Sequence, residues 1–402
     1  MSLEIRPIRP DELEEFNRVV KTAFASPDEF TVKMAPEWTL CAFVDGRIAT
    51  TYAAWPLTMQ LTGTSIPVAG VTMIGTLPVY RRRGYLRKIT ETHFKMLYER
   101  GEQAIAALFA SMVAVYQRYG YAVVSTRNAY TIDPRHLVFP DDRTITGDLQ
   151  EVGDSEHGLL LEIYYRFIAQ RTGYLHRNEA MEVAPGAQFT VLFFRPVPNV
   201  VAKVVYREAG EPLGYVIYGV DNLKPGTPMG QRLMIRDLVW LTASAYRAIW
   251  NYFANMDLVR EITWAPVPPD DPLRHLLLEP RQLNITSGEG LLARIVNVEQ
   301  ALPLRSYAAE GAFTFEVVDE LCPWNQGRWK IETSAAGTDI RRTKEAPQLV
   351  MPISTLSMLL FGQISPSEAA RMARLDALDD GSLPLWDRAM MTAHRPFCAD
   401  GF

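Results

Sequence analysis

Four arginines and a glycine fall within seven residues, Arg81-Arg82-Arg83-Gly84-Tyr85-Leu86-Arg87, and no other run in the sequence is better equipped for chemistry. A strand-like segment, 67–77, precedes the run and a helix-like segment reaching about Arg100 follows it. In such a turn the backbone N–H groups and the positive end of the helix dipole point at one place. Guanidinium groups add charge-assisted hydrogen bonds, a combination that suits a pyrophosphate. Three cations at the positive end of a helix are locally unfavourable, and a bound anion removes the conflict. No Gly-Lys-Ser/Thr follows, so this is not a Walker loop, and the paired glycines of a dinucleotide fingerprint are missing. The turn reads best as that of an acyl-coenzyme-A binder.

The elements around the turn fall into three blocks. In the first, residues 1–145, apolar residues at helical spacing (Leu13, Phe16, Val20, Phe24) predict a helix. Two strands, 38–44 and 47–55, flank Asp45-Gly46, a strong hairpin signal. After the basic turn come a helix over about 85–99 with Gly101 as its cap, a buried strand over 103–110, and a short helix over 113–119 ending at Gly120. The second block, 146–285, repeats the order helix, hairpin, strand, helix. Its strand–helix junction reads Leu241-Thr242-Ala243-Ser244, with no arginine cluster and no glycine. The chain therefore reads as a tandem duplication in which only the first copy keeps a phosphate turn. In the third block, 286–402, a helix is expected over 293–301, strands over 313–319, 328–332 and 349–351, and helices over 354–360 and 366–374.

Length and composition agree. A chain of 402 residues suits two or three domains, and 48 % hydrophobic residues support well-formed cores. A net charge of −5 argues against a nucleic-acid partner. Cys41, Cys322 and Cys398 are far apart, which argues against a disulfide framework or a cysteine zinc site, and no metal is expected. The first residues lack the apolar core of a signal peptide, and no apolar stretch reaches the ~20 residues of a membrane helix. A cytoplasmic protein without a membrane partner is expected.

Residues 71–86 and 106–121 resemble motifs A and B of the GNAT N-acetyltransferases. That family's pattern is [Q/R]-x-x-G-x-[G/A]; here it reads Arg81-x-x-Gly84-x-Leu86, with leucine at the last position. This departure, the triple arginine, the degenerate second copy and the length together resemble the enhanced-intracellular-survival (Eis) acetyltransferases. The resemblance implies an α+β chain: two GNAT-like domains, each a mixed, mostly antiparallel sheet flanked by helices, then a sterol-carrier-protein-like domain. It implies acetyl-CoA as cosubstrate, bound along Ile74, Gly75 and Thr76 of a splayed strand, at the turn residues Arg82, Arg83, Gly84, Tyr85, Leu86 and Arg87, and at Ser111 and Met112. It also implies a small polyamine or aminoglycoside-like amine as acceptor and a homohexamer.

Acetyl transfer needs a neutral amine, donors for a tetrahedral oxyanion, and a proton for a thiolate with a reference pKa near ~8.5. By the family's (Phe/Ile)-Tyr-x-x-x-Gly-(Phe/Tyr) pattern, Val115-Tyr116-Gln117-Arg118-Tyr119-Gly120-Tyr121 makes Tyr116 the proton donor and leaves Tyr119 a structural role. His93 falls mid-helix on the apolar side and is expected to be structural. By resemblance the base is the chain's own terminal carboxylate, on Phe402. Asp28, Glu29 and Asp400 are candidates for an acidic rim that receives a cationic substrate, and Phe24, Phe30, Trp38 and Trp55 for the walls of a wide pocket or for core. Two other functions stay open: a protein lysine acetyltransferase, and a non-catalytic acyl-CoA or lipid-binding scaffold.

Overall fold

A computed structural model describes residues 2–26, 32–141, 145–179, 201–223, 230–379 and 381–402. Local sequence dictates much of the first sheet. Asp45 and Gly46 both take positive φ, 46° and 79°, which closes a two-residue turn between β2 (Cys41–Val44) and β3 (Arg47–Leu61). The longer arm of β3 pairs with β4 (Thr64–Thr76). Helix α1 (Leu13–Phe24) buries Phe16, Val19 and Val20 against these strands. Helix α2 (Tyr85–Arg100) ends at Gly101, whose φ of 69° lets its N–H reach the Leu97 carbonyl.

Three sheets result. With β1 (Leu3–Arg6), β5 (Ile105–Leu108), β6 (Ala122–Val123) and β14 (Leu292–Ile295), the first runs β1-β2-β3-β4-β5-β14-β6. The second contains β7 (Thr126–Ile132), β8 (Asp148–Glu151), β9 (Val201–Glu208), β10 (Glu211–Asn222), β11 (Gln231–Trp240), β12 (Val259–Val267) and β13 (Thr286–Glu289). Its order is β13-β7-β12-β11-β10-β9-β8. Helix α3 (Val113–Gln117) follows β5, α4 (His157–Ile168) packs on β10 and β11, and α5 (Ala243–Ala254) follows β11. The third sheet, β17-β16-β15-β18-β19, is built from Gly311–Val318 (β15), Gly327–Ser334 (β16), Gly337–Arg342 (β17), Leu349–Pro352 (β18) and Asp376–Ala377 (β19).

The sheets exchange strands across the three blocks. β7, from the first block, lies in the second sheet, while β14, from the third, is inserted between β5 and β6 of the first. The helix expected over 293–301 is corrected accordingly: Leu292–Ile295 is strand, and only Val298–Ala301 is helical. All four residues of β14 are buried, so no alternation marks them as strand in the sequence. Because β14 is inserted between β5 and β6, the first sheet and the third domain share one core, with Ile295 and Val298 in the same cluster as Leu359 and Phe361.

Candidate active site

The first sheet opens where a ligand needs it to. β4 and β5 run parallel and pair only at Ala69–Ala106 and Gly70–Ala107, after which they diverge. Beyond this fork β4 is bulged. Met73 has φ 53°, and the register with β3 shifts between Thr51 and Ala53. Thr51 Oγ1 fixes the bulge, donating to the Met73 carbonyl at 2.8 Å, with the Gly75 carbonyl 3.2 Å away. Gly75 is required by packing: a Cβ there would lie 2.7 Å from Ala23 Cβ of α1. Between the arms of the fork lies a cavity of about 340 Å³, lined on one side by Val71, Thr72, Met73 and Ile74 and on the other by Leu108, Phe109 and Ser111. Met112, next in the chain, is 66 % exposed.

The basic turn stands at the end of β4. Arg81 is turned back into the protein, donating to the carbonyls of Thr76 and Ala23, each at 3.2 Å. It therefore shapes the turn; Arg82, Arg83 and Gly84, like Arg81, are exposed. Arg82 (φ 63°) and Gly84 (φ 78°) both take left-handed conformations, and Arg83 lies over the Tyr80 ring at 5.6 Å. Gly84 is the N-cap of α2 and has no side chain with which to cap it, and the first helical bond runs from Lys88 N–H to the Gly84 carbonyl. The first-turn N–H groups of Tyr85, Leu86 and Arg87 thus have no partner inside the helix. Arg87 is tied to Glu91 at 2.8 Å. An acyl-CoA fits this arrangement: a bulged strand end for the pantetheine arm, and free N–H groups beside exposed guanidiniums for the pyrophosphate.

Tyr116, on α3, lines the same cavity. Its ring meets Tyr121 edge-on at 6.2 Å. Burial, and secondarily Tyr119, pushes its phenol up to about 12, so it is protonated throughout the neutral range. The short helix is held from behind by Arg294 of β14, which donates to the Tyr119 carbonyl and pairs with both oxygens of Asp319 at 2.7 Å. Gly120 is obligatory beneath that guanidinium, since a Cβ would collide with it. His93 is a core residue: Tyr52 Oη lies 2.8 Å from its Nδ1, and burial depresses its pKa to about 3.

The segment 397–402 threads between the two GNAT-like sheets. Phe397 N–H donates to the Thr172 carbonyl at 2.9 Å, and its ring packs against Tyr174. Gly173 permits this crossing, because a Cβ would lie 2.7 Å from the Phe397 carbonyl oxygen. Asp400 was expected at an acidic rim; it is instead 1 % exposed and bound to Arg177 Nε at 3.2 Å through both oxygens. A carboxylate so enclosed anchors the chain and offers nothing to a cationic substrate. Asp28, Glu29 and Phe30 lie outside the described residues. Phe402 reaches the fork cavity, its ring edge-on to Phe109 at 5.4 Å and against Gly70.

Phe109 and Phe402 also line a second cavity, of about 600 Å³, on the far side of the terminal segment. Its walls are mostly apolar, including Met234, Ile235 and Pro266, and its charged residues are Arg127, Arg236, Glu289 and the enclosed Asp400. A cavity of about 700 Å³ lies in the second copy beside Thr242 and shares no lining residue with the fork cavity. Its arginines are each matched by an acid: Arg166 with Glu211 at 2.6 Å, Arg171 with Asp270 at 3.7 Å, and Arg247 with Asp141. Sequence reasoning missed Thr51, Met73, Phe109 and Arg177. Only Phe109, an aromatic at the end of a buried strand, carries a local signal. Among the described residues no group of three His, Cys, Asp or Glu side chains is placed to hold a metal, and no helix is long and apolar enough to cross a membrane.

Comparison with known proteins agrees with this geometry. Residues 4–124 match a family model described as an acetyltransferase (GNAT) domain, residues 190–295 a second model of the same description, and residues 298–399 a sterol carrier protein domain. N-acetyltransferase Eis of Mycobacterium tuberculosis is 29 % identical over 344 residues, 81 % of this chain and 78 % of that protein. An uncharacterized N-acetyltransferase of Streptomyces avermitilis is 28 % identical over 85 % of this chain and 83 % of that protein. The crystal structure of Eis1 from Mycobacterium abscessus superposes with a TM-score of 0.82 at 26 % identity, covering 99 % of this chain and all of that one. The chain is a GNAT N-acetyltransferase, a homologue of Eis built from two GNAT domains and a sterol-carrier-protein domain, and its fold implies acetyl-CoA as cosubstrate.

Proposed function

We propose that this chain transfers an acetyl group from acetyl-CoA to a primary amine of a small polyamine or aminoglycoside-like acceptor, by direct attack through a tetrahedral intermediate. One observation carries the reading: Tyr116 and Phe402, far apart in sequence, line one cavity at the fork of β4 and β5. The cosubstrate supplies an activated thioester, and the chain does the rest. The bulged end of β4 at Ile74, Gly75 and Thr76 and the turn at Arg82–Arg87 hold and orient it. Tyr116 faces the developing thiolate. Since a thiol has a reference pKa near ~8.5 and Tyr116 stands at about 12, full proton transfer is uphill even to the fully formed thiolate. The earlier gain is a hydrogen bond to charge growing on sulfur.

The Phe402 carboxylate is the proposed base. An α-carboxyl has an ordinary pKa of ~3.3–3.7 and becomes a competent base when desolvated. The acceptor enters through the cavity of about 600 Å³, where Glu289 is the carboxylate available to an ammonium group and Arg127 and Arg236 repel others. Acceptors whose spare amines reach Glu289 are therefore favoured.

Free-thiol release with a panel of polyamines and aminoglycosides tests the reading, with Tyr116→Phe and a chain lacking Phe402 alongside. Turnover by the wild type and loss of rate in both variants supports the acid and the base. Loss in Tyr116→Phe alone removes the terminal carboxylate from the mechanism. No thiol release with any small amine, but release with lysine-containing peptides, replaces the acceptor class with protein lysine. The raised Tyr116 pKa also sets a pH expectation: its protonated form persists, so Tyr116 itself causes no fall in kcat up to pH 10.

A further inference from the structure

The fork of the second copy is filled by the terminal segment. β11 and β12 pair in parallel from Gln231–Val259 to Ile235–Trp264 and then part, as β4 and β5 do. Into that gap run Phe397 and Ala399, which leave a residual space of about 20 Å³ bounded by Arg236, Asp237, Leu238, Trp264 and Pro266. Below it lies a buried ion cluster. Arg177, 2 % exposed, donates to Asp237 of β11 at 2.6 Å and to Asp400 at 3.2 Å, and lies over the Tyr164 ring at 3.8 Å. Tyr215 of β10 donates to Asp237 at 2.6 Å, and the Tyr164 hydroxyl lies 3.3 Å from Asp400. Two residues beyond Asp400, Phe402 enters the first copy's cavity.

We infer that Arg177 is a positioning residue for the first copy's chemistry: fixed by Asp237 and Tyr215, it captures Asp400 and thereby sets where Phe402 stands. Several observations converge on this. Asp400 accepts from Arg177 through both oxygens, which fixes orientation as well as distance. Every member of the cluster is buried, so water does not compete for it. Gly401 alone separates the captured carboxylate from Phe402, so an error at Asp400 is passed directly to the site. The inference rests on the proposed role of the Phe402 carboxylate and adds the device that places it.

The test uses the full chain with Asp400→Ala, which leaves Arg177 its contacts with Asp237 and Tyr215 and so preserves the fold. Two readouts are taken: steady-state kinetics, and release of free phenylalanine by a carboxypeptidase, which reports undocking without reference to activity. We expect faster phenylalanine release, and a kcat about 100-fold lower, the scale of an ångström-sized misplacement, with KM for acetyl-CoA unchanged. An Asp400→Ala chain with faster phenylalanine release but wild-type kcat overturns the inference, as does one in which neither readout moves. A third chain separates the two layers. If trimming Phe402 from the wild type leaves kcat intact, the carboxylate-base reading fails and positioning fails with it. If trimming lowers kcat while Asp400→Ala does not, the base survives and positioning alone is rejected.

Discussion

The two GNAT copies offer the same scaffold twice, with opposite outcomes. In each, parallel strands part and a helix begins beyond the fork. In the first copy the fork encloses a cavity of about 340 Å³; in the second it is filled by Phe397 and Ala399, and about 20 Å³ remains. The helix ends differ in the same sense. Gly84 leaves the first turn of α2 uncapped, whereas Thr242 accepts from Ala245 N–H at 3.2 Å and satisfies α5 internally. A helix terminus with unmet donors and nearby cations invites an anion, and one that caps itself has less to offer. One copy therefore keeps an open cavity at its fork, and the other clamps the chain's own end.

Mutations that ask the two copies to behave alike sharpen this contrast. The largest effect is expected from Tyr116→Phe, which should lower kcat by about 10²–10⁴-fold, the range for loss of a positioned proton donor; stopped-flow thiol release measures it, and a change below tenfold breaks the assignment. Next, Arg82→Ala and Arg83→Ala should each raise KM for acetyl-CoA about tenfold, the factor of one charge-assisted hydrogen bond. The increase should shrink in high salt, while Arg166→Ala in the second copy leaves KM alone. Thr242→Ala should cost about 1 kcal/mol of stability, seen as a lower Tm, without touching KM. Equal KM changes from Arg83→Ala and Thr242→Ala would erase the distinction between site and clamp.

The smallest effect concerns acid stability of the first copy. His93 has its pKa depressed by burial from 6.5 to about 3, so the unfolded chain binds its proton first on acidification. Stability present above pH 6.5 is lost as pH falls toward 3. The Tm should decline across that window, and His93→Phe should flatten part of the decline in calorimetry.

What the sequence made legible was local. Asp45-Gly46 closes the expected hairpin, Gly101 caps α2, and the strand–turn–helix around Gly84 stands where it was read. What it hid was set at long range. The Leu292–Ile295 strand reads as helix because a segment buried on both faces shows no period of two. Met73 gives no sign of its left-handed bulge, which is held by the Thr51 hydroxyl across the sheet. Asp400 looks like surface charge until Arg177 and Asp237 are brought to it from the other domain. A buried ion cluster assembled from three distant segments leaves no local pattern to find.

The exchanged strands bear on how the enzyme can be divided. β14 joins β5 through Ile295–Ile105 to Leu292–Leu108, and β7 pairs with both β12 and β13. A fragment cut after the first block would carry every residue of the basic turn and Tyr116, yet would lack the strand that joins β5 to β6 in its own sheet and the arginine that braces α3. The acetylation half is therefore no portable cassette: to graft it onto another protein, nearly the whole chain must travel with it.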